Sequence, residues 1–289
     1  MKLSGNTQPF AVLGHPIGHT LSPVMHNAAF NALRMDAVYL AFDVDPANLM
    51  RVLPAMADMG FKGVNLTVPL KEVAFRGIAD LDVSARLLGA VNTIEFLPGG
   101  LRGHNTDGAG FVQALREAFG IAIAGRSVFV LGCGGAGRAV ALTCASEGAS
   151  RLAIADSDAD RPANVAAEVR KVSPDRPVTV VAADANAWIR AAREADLVVQ
   201  ATPVGMKRTD PPLLPPKAFR DGQKVYDLIY MYPETAVMQA ARAAGAQAAN
   251  GLGMLLHQGA RAFSIWTGRT APLDSMRLAL ESAVYGEEK

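Results

Sequence analysis

Cysteine is scarce in this chain. The two present, Cys133 and Cys144, lie in one strand–helix segment with no histidine close by. That excludes a disulfide framework and any common metal-ligand spacing, and it predicts free thiols in a reducing compartment. A charge bias is also missing: 28 basic residues stand against 27 acidic ones, and no Lys/Arg run reads as a basic arm. Nucleic-acid binding therefore has no electrostatic support. No apolar run is long enough to cross a bilayer. The opening segment "MKLSGNTQPFAVLGHP" has no apolar signal-peptide core. No His/Asp/Glu set suggests a metal, and there is no internal repeat or low-complexity linker. The expectation is a cytoplasmic protein acting on small molecules, with monomer and homodimer both left open.

The chain does contain an alternation of short apolar runs and longer amphipathic ones, which argues for an α/β fold. "FAVLG", "AVYLAFDV" and "FKGVNLTVPLK" read as strands, the last ending in polar residues. "SPVMHNAAFNALRM" reads as a helix with Ser22 as N-cap and Pro23 at its first helical position. His26 and Asn27 on that helix are expected to be packing residues. "AVNTIEF" and "GLRGHNTD" form a hairpin-like pair around "LPGG". A second unit begins near Gly108, with "SVFVLG", "RLAIAD", "VTVVAA", "LVVQAT" and "KVYDLIY" as strands. The last fifty residues read as helical. Polar residues at strand C-termini line the ligand crevice of open α/β sheets, a rule that points Lys71, Asp107, Thr202 and Tyr230 toward ligand.

"VFVLGCGGAGRAVA" follows a strand, opens a helix and fits G-x-G-x-x-G through Gly132, Gly134 and Gly137. Such glycines permit a tight turn, close approach of a pyrophosphate and close helix–sheet packing. The alternative is a glycine-rich turn without a nucleotide. Against it, "RLAIAD" ends at Asp156, where an acid contacts the adenosine ribose. That carboxylate accepts from ribose hydroxyls and repels a 2′-phosphate, so NAD is favoured, with NADP as the alternative. The competing reading has Asp156 capping the next helix while Arg161 meets the phosphate.

Oxidising an alcohol by hydride transfer needs a side chain that takes the hydroxyl proton. Lys71 with Asp107 is such a pair. From spacing alone, an exposed Lys at a strand end and an Asp capping "GAGFVQALREAF" is an equal rival.

The set "GHPIGHTLSPVMHNAAF", "GVNLTVPLK", "GAVNTI", "GHNTDGAGF", "LGCGGAGRA", "QATPVGM" and "NGLGMLLHQGARAFSIWTG" resembles the shikimate dehydrogenase family, from Leu13 to Gly268 and in the family's order. The resemblance implies a substrate domain over 1–107 completed by 240–289, a Rossmann domain over 108–239, and C-terminal helices packing back on the first domain. It implies reversible oxidation of the shikimate 3-hydroxyl with a nicotinamide cofactor. It makes Lys71 and Asp107 the catalytic pair and puts the substrate carboxylate at Thr20 and Ser22. Asn65, Thr67, Asn92 and Gln258 match ring-hydroxyl positions, and Tyr230 matches a tyrosine near the substrate. On the cofactor side it implies Gly132, Cys133, Gly134, Gly135 and Ala136 at the pyrophosphate. Thr202, Pro203, Met206, Leu228 and Gly251 would border the nicotinamide. Two departures stand out: many members carry Ser at Thr20, and an Asn-Arg pair at Asp156–Ser157. Family members that use NAD and accept quinate as well as shikimate show departures of this kind, so a quinate/shikimate dehydrogenase is kept open as a reading.

Overall fold

In the computed structural model, which describes residues 3–286, the run Phe10–Leu13 is buried on both faces of its strand, as a central parallel strand requires. It is the centre of β1 (Gln8–Gly14), and the chain then forms α1 (Ser22–Ala32), β2 (Ala37–Asp43), α2 (Leu49–Asp58), β3 (Gly63–Leu66), α3 (Leu70–Gly77), β4 (Asp80–Leu81), α4 (Val83–Leu88), β5 (Thr93–Leu97), β6 (Gly100–His104) and α5 (Asp107–Phe119). The sheet order is β2-β1-β3-β5-β6-β4. The hairpin expected around "LPGG" is present: β5 runs antiparallel to both β3 and β6. The sheet is therefore mixed rather than wholly parallel.

The chain continues through β7 (Ser127–Leu131), α6 (Gly135–Ser146), β8 (Arg151–Ala155), α7 (Asp160–Val172), β9 (Val178–Val180), α8 (Ala185–Glu194), β10 (Leu197–Gln200), β11 (Lys224–Asp227), α9 (Ala236–Ala243), β12 (Gln247–Asn250), α10 (Leu252–Thr267) and α11 (Leu273–Tyr285). The second sheet is parallel throughout, in the order β12-β11-β10-β7-β8-β9. This is the doubly wound pattern, with the order reversing between β7 and β10.

Two compact units result. One holds the residues up to Gly110 and those from Leu255 onward, and the other holds Phe111–Met254. The returning segment thus starts at Leu255 rather than at 240, because β12 pairs along β11 and keeps 240–254 in the second unit. The sequence reading of an all-helical C-terminus missed that strand. "QAAN" has no β-branched or aromatic residue, and only pairing to β11 makes it extended. In the first unit α11 packs on α1. Trp266 of α10 lies against Gly63, where an added Cβ would come within 2.4 Å of its ring.

Candidate active site

Lys71 sits in the first turn of α3 and not at the end of a strand. β3 stops at Leu66 because the Leu70 N–H donates to the Thr67 carbonyl (2.8 Å), closing a turn through Pro69, which has no N–H for a ladder. The turn sends the Lys71 amine to Asp107, the first residue of α5, with Nζ 2.7 Å from Oδ2. The two side chains are 27% and 16% exposed. Asn92 donates to the other carboxylate oxygen at 2.8 Å and to Thr106 Oγ1 at 2.9 Å. The Asp107 N–H in turn donates to Asn105 Oδ1 at 2.9 Å. The carboxylate is thus held on both oxygens, with one of its partners able to exchange a proton.

Beneath the pair lies a buried polar network. Asn65 donates to the Asn92 carbonyl and to Thr93 Oγ1, both at 3.0 Å, and accepts from Tyr39 Oη at 2.7 Å. Both of its N–H donors are thereby committed inside the protein, so only the oxygen retains a free lone pair for a ligand. Burial raises the Tyr39 phenol well above its usual pKa, against the pull of the Ser22 hydroxyl. Gln258 on α10 lies close to this group, 3.5 Å from Thr106 Oγ1. Gly110 allows that approach, since a Cβ there would meet the Gln258 backbone nitrogen at 2.7 Å. Thr67 packs over Gly14. Ser22 is not the N-cap of α1: Leu21 occupies that position, Ser22 is the first helical residue, and Thr20 Oγ1 accepts the Ser22 N–H at 3.3 Å. The two hydroxyls still flank the start of the helix. His26, one turn on, stacks on Tyr39 with centroids 4.4 Å apart. It is fully buried, and neither ring nitrogen has a hydrogen-bond partner.

In the second unit the glycine-rich loop joins β7 to α6. A Cβ on Gly137 would lie 1.8 Å from the Gly132 carbonyl oxygen, and one on Gly132 would lie 2.6 Å from Ala201 C. Gly134 and Gly135 face open space, beside first-turn N–H groups that have no intrahelical acceptor. A cradle of free N–H groups without side chains fits a diphosphate. Cys133 departs from that expectation: its N–H donates to Asp156 Oδ2 at 2.6 Å, so it is not free for a phosphate. Asp156 does not cap α7 either, since Ala159 is the residue at that N-cap. Burial pushes the Asp156 carboxyl up, but N–H donation from Asp158 and Cys133, with help from Arg161 and Ser157, leaves it below the usual range. Arg161 pairs with Asp158 at 3.2 Å. Gly137→Ala is expected to cost about 1–3 kcal/mol from overpacking, read as a lower Tm, whereas Gly134→Ala should leave Tm unchanged.

On the other side of β7, Thr202, Pro203 and Met206 follow β10, Leu228 and Tyr230 follow β11, and Gly251 follows β12. A Cβ on Gly251 would strike the Leu228 carbonyl oxygen at 2.1 Å. Burial raises the Tyr230 phenol. Among the described residues, no cluster of His, Cys, Asp and Glu is arranged to hold a metal ion. No helix among them is long and apolar enough to cross a membrane.

Residues 12–94 match the model of the shikimate dehydrogenase substrate binding domain, and 251–281 that of the shikimate 5′-dehydrogenase C-terminal domain. The shikimate dehydrogenase (NADP(+)) of Methanopyrus kandleri is 42% identical over 282 residues, 97% of each chain. This chain belongs to the shikimate dehydrogenase family. It is therefore an enzyme of the oxidoreductase class. Among solved structures, the Listeria monocytogenes shikimate 5-dehydrogenase in complex with shikimate and NAD superposes with a TM-score of 0.90 at 35% identity, covering 97% of this chain and 98% of that one. Quinate dehydrogenase from Corynebacterium glutamicum in complex with NAD gives 0.88 at 31% identity, covering 96% and 99%.

Within this shikimate dehydrogenase fold the structure adds residues that sequence reasoning passed over. Tyr39, Thr93 and Thr106 are buried members of the network around Asn65 and Asn92. Tyr39 was findable, because a tyrosine on the core face of a strand needs a partner for its hydroxyl. Thr93 carried no signal, as a threonine in a strand is ordinary.

Proposed function

We propose that this enzyme is an NAD-preferring shikimate dehydrogenase that interconverts shikimate and 3-dehydroshikimate and takes quinate as a second substrate. The observation carrying the reading is the 2.7 Å contact between Lys71 and Asp107, with Asn92 on the other carboxylate oxygen. When bound, the nicotinamide supplies a C4 position that accepts hydride from the carbinol carbon. The Lys71–Asp107 pair takes the hydroxyl proton as the ketone forms and returns it in the reverse direction. Thr20 and Ser22, beside the start of α1, would receive the substrate carboxylate. Thr67 and Gln258 would meet ring hydroxyls directly, Asn65 through its remaining acceptor site, and Asn92 chiefly by holding Asp107. Tyr230 would lie near the substrate. The chain fits the cofactor through the open faces of Gly134 and Gly135 and the exposed Ala136 at the pyrophosphate, with Gly132 behind them.

NAD preference rests on Asp156. Its carboxylate closes β8, and the nearby cation, Arg161, is already paired with Asp158. Lys207 and Arg208 follow β10, on the opposite side of β7 from β8, where they do not face an adenosine ribose seated over β8. Relatives named for NADP(+) make the ordinary NADP-dependent enzyme the competing reading. Initial rates at 340 nm with shikimate or quinate, each with NAD or NADP, test both parts. Turnover confined to NADP and shikimate would overturn the cofactor and quinate assignments, and silence with all four pairs would overturn the reaction. In the Asp156→Asn/Ser157→Arg variant, NADP preference should rise at least about tenfold through removal of a like charge and gain of a cation. The asparagine oxygen remains able to accept the Cys133 N–H. An unchanged cofactor ratio would remove Asp156 as the selector.

A further inference from the structure

The carboxyl end of the second sheet contains three buried polar side chains with no part in the chemistry above. Gln200 ends β10 and Asp227 ends β11, directly opposite each other in register, and both are fully buried. Thr235, the N-cap of α9, is buried beside them. A sheet end needing only to be covered would be filled by apolar residues, because buried polar groups are costly unless fully satisfied. These three are satisfied almost entirely by the two loops above them. Gln200 Oε1 accepts the Thr202 N–H at 2.6 Å, and Nε2 donates to the carbonyls of Val204 (2.9 Å) and Thr202 (3.2 Å). Asp227 Oδ1 accepts from the Ile229 N–H at 3.0 Å and is reached by Gln200 Nε2 at 3.4 Å. Asp227 Oδ2 accepts from the Thr235 hydroxyl at 2.6 Å. One hydrogen-bonded unit therefore fixes the backbone of Thr202–Val204 and of Ile229.

The position of that unit gives it meaning. The strand order reverses between β7 and β10, which is where a dinucleotide crosses an open parallel sheet. Asp156 and the glycine-rich loop occupy the β7–β8 side, so the second nucleotide half falls over β10 and β11. The backbone around Ala201 and Thr202 also abuts Gly132, so the loop after β10 continues directly from the pyrophosphate cradle.

We propose that Gln200, Asp227 and Thr235 are positioning residues for the nicotinamide half of the cofactor, a role that rests on the dinucleotide reading above. They act through the Thr202–Val204 and Ile229 backbone and do not touch the ring. Burial lifts the Asp227 carboxyl to about 6, against the Thr235 hydroxyl and Ile229 N–H, which fits a group held by few, well-placed donors.

The test compares NAD with ADP-ribose, which keeps the adenosine and diphosphate but lacks the nicotinamide, by titration calorimetry on the full-length enzyme. NADP and 2′-phospho-ADP-ribose are used in the same way if the enzyme takes NADP. Gln200→Leu should weaken dinucleotide binding at least about tenfold and ADP-ribose binding less than about twofold. Thr235→Val should shift the same ratio in the same direction, and Thr235→Ser, which keeps the hydroxyl, should restore it. Should Gln200→Leu not fold, the Thr235 pair alone decides the matter. Equal losses for both ligands, or no loss for either, would overturn the positioning role while leaving the functional reading standing. An unaltered enzyme that binds no dinucleotide would overturn both.

Discussion

Replacing Lys71 with alanine is expected to lower turnover at least about a hundredfold, the lower end of what a positioned acid–base group contributes, or about 2.7 kcal/mol of barrier. The fold should survive the change. Asp107 keeps its hydrogen bond from Asn92, and its side chain is partly exposed, so loss of the amine does not leave a buried charge stranded. The expected result is therefore a collapse of kcat with a nearly unchanged Tm and a modest change in the KM for shikimate. Steady-state rates and a thermal melt on the same preparation check it. Near-normal kcat would show that the proton leaves by another route and that the 2.7 Å contact is only structural.

Acid should weaken the first unit through His26. This imidazole is fully buried with both ring nitrogens unpartnered, and burial depresses its pKa from 6.5 to about 3. In the unfolded chain it takes up a proton near pH 6.5, whereas in the folded chain it stays neutral until much lower pH. Its contribution is thus complete above pH 6.5 and is lost as the pH falls toward 3. Linkage over that interval amounts to about 2 kcal/mol between pH 7 and pH 5. His15 works in the opposite sense, since its hydrogen bond to Asp43 raises its pKa. A comparison with His26→Leu, which retains His15, isolates the buried ring. Urea unfolding can be followed by Trp266, 5.6 Å from His26, in a Trp188→Phe background that silences the other indole. The loss between pH 7 and pH 5 should be smaller in the leucine variant by about 2 kcal/mol. Equal pH slopes in the two proteins would mean that His26 is protonated in the folded state.

The sequence by itself determined the class of fold, most strand positions, the glycine-rich loop and the family. Those features reside in local pattern: "SVFVLG" before "GGAGRA" can hardly form anything but a strand feeding a helix N-terminus, and the glycines there answer to contacts within a few residues. From spacing alone the pairing of Lys71 with Asp107 was one of two equal options, because spacing does not say which way a side chain turns; the family resemblance chose between them. Tertiary structure decided that Lys71 belongs to a helix, that Leu21 and not Ser22 is the N-cap, and that Cys133 gives its N–H to Asp156. It also decided that "QAAN" is a strand and that the returning segment begins at Leu255. The last three are settled by partners distant in sequence: Asp156 for Cys133, and β11 for β12, which also fixes where the returning segment begins. Local propensity carries no information about such partners, and a buried polar group takes its role from whichever group meets it in the folded chain.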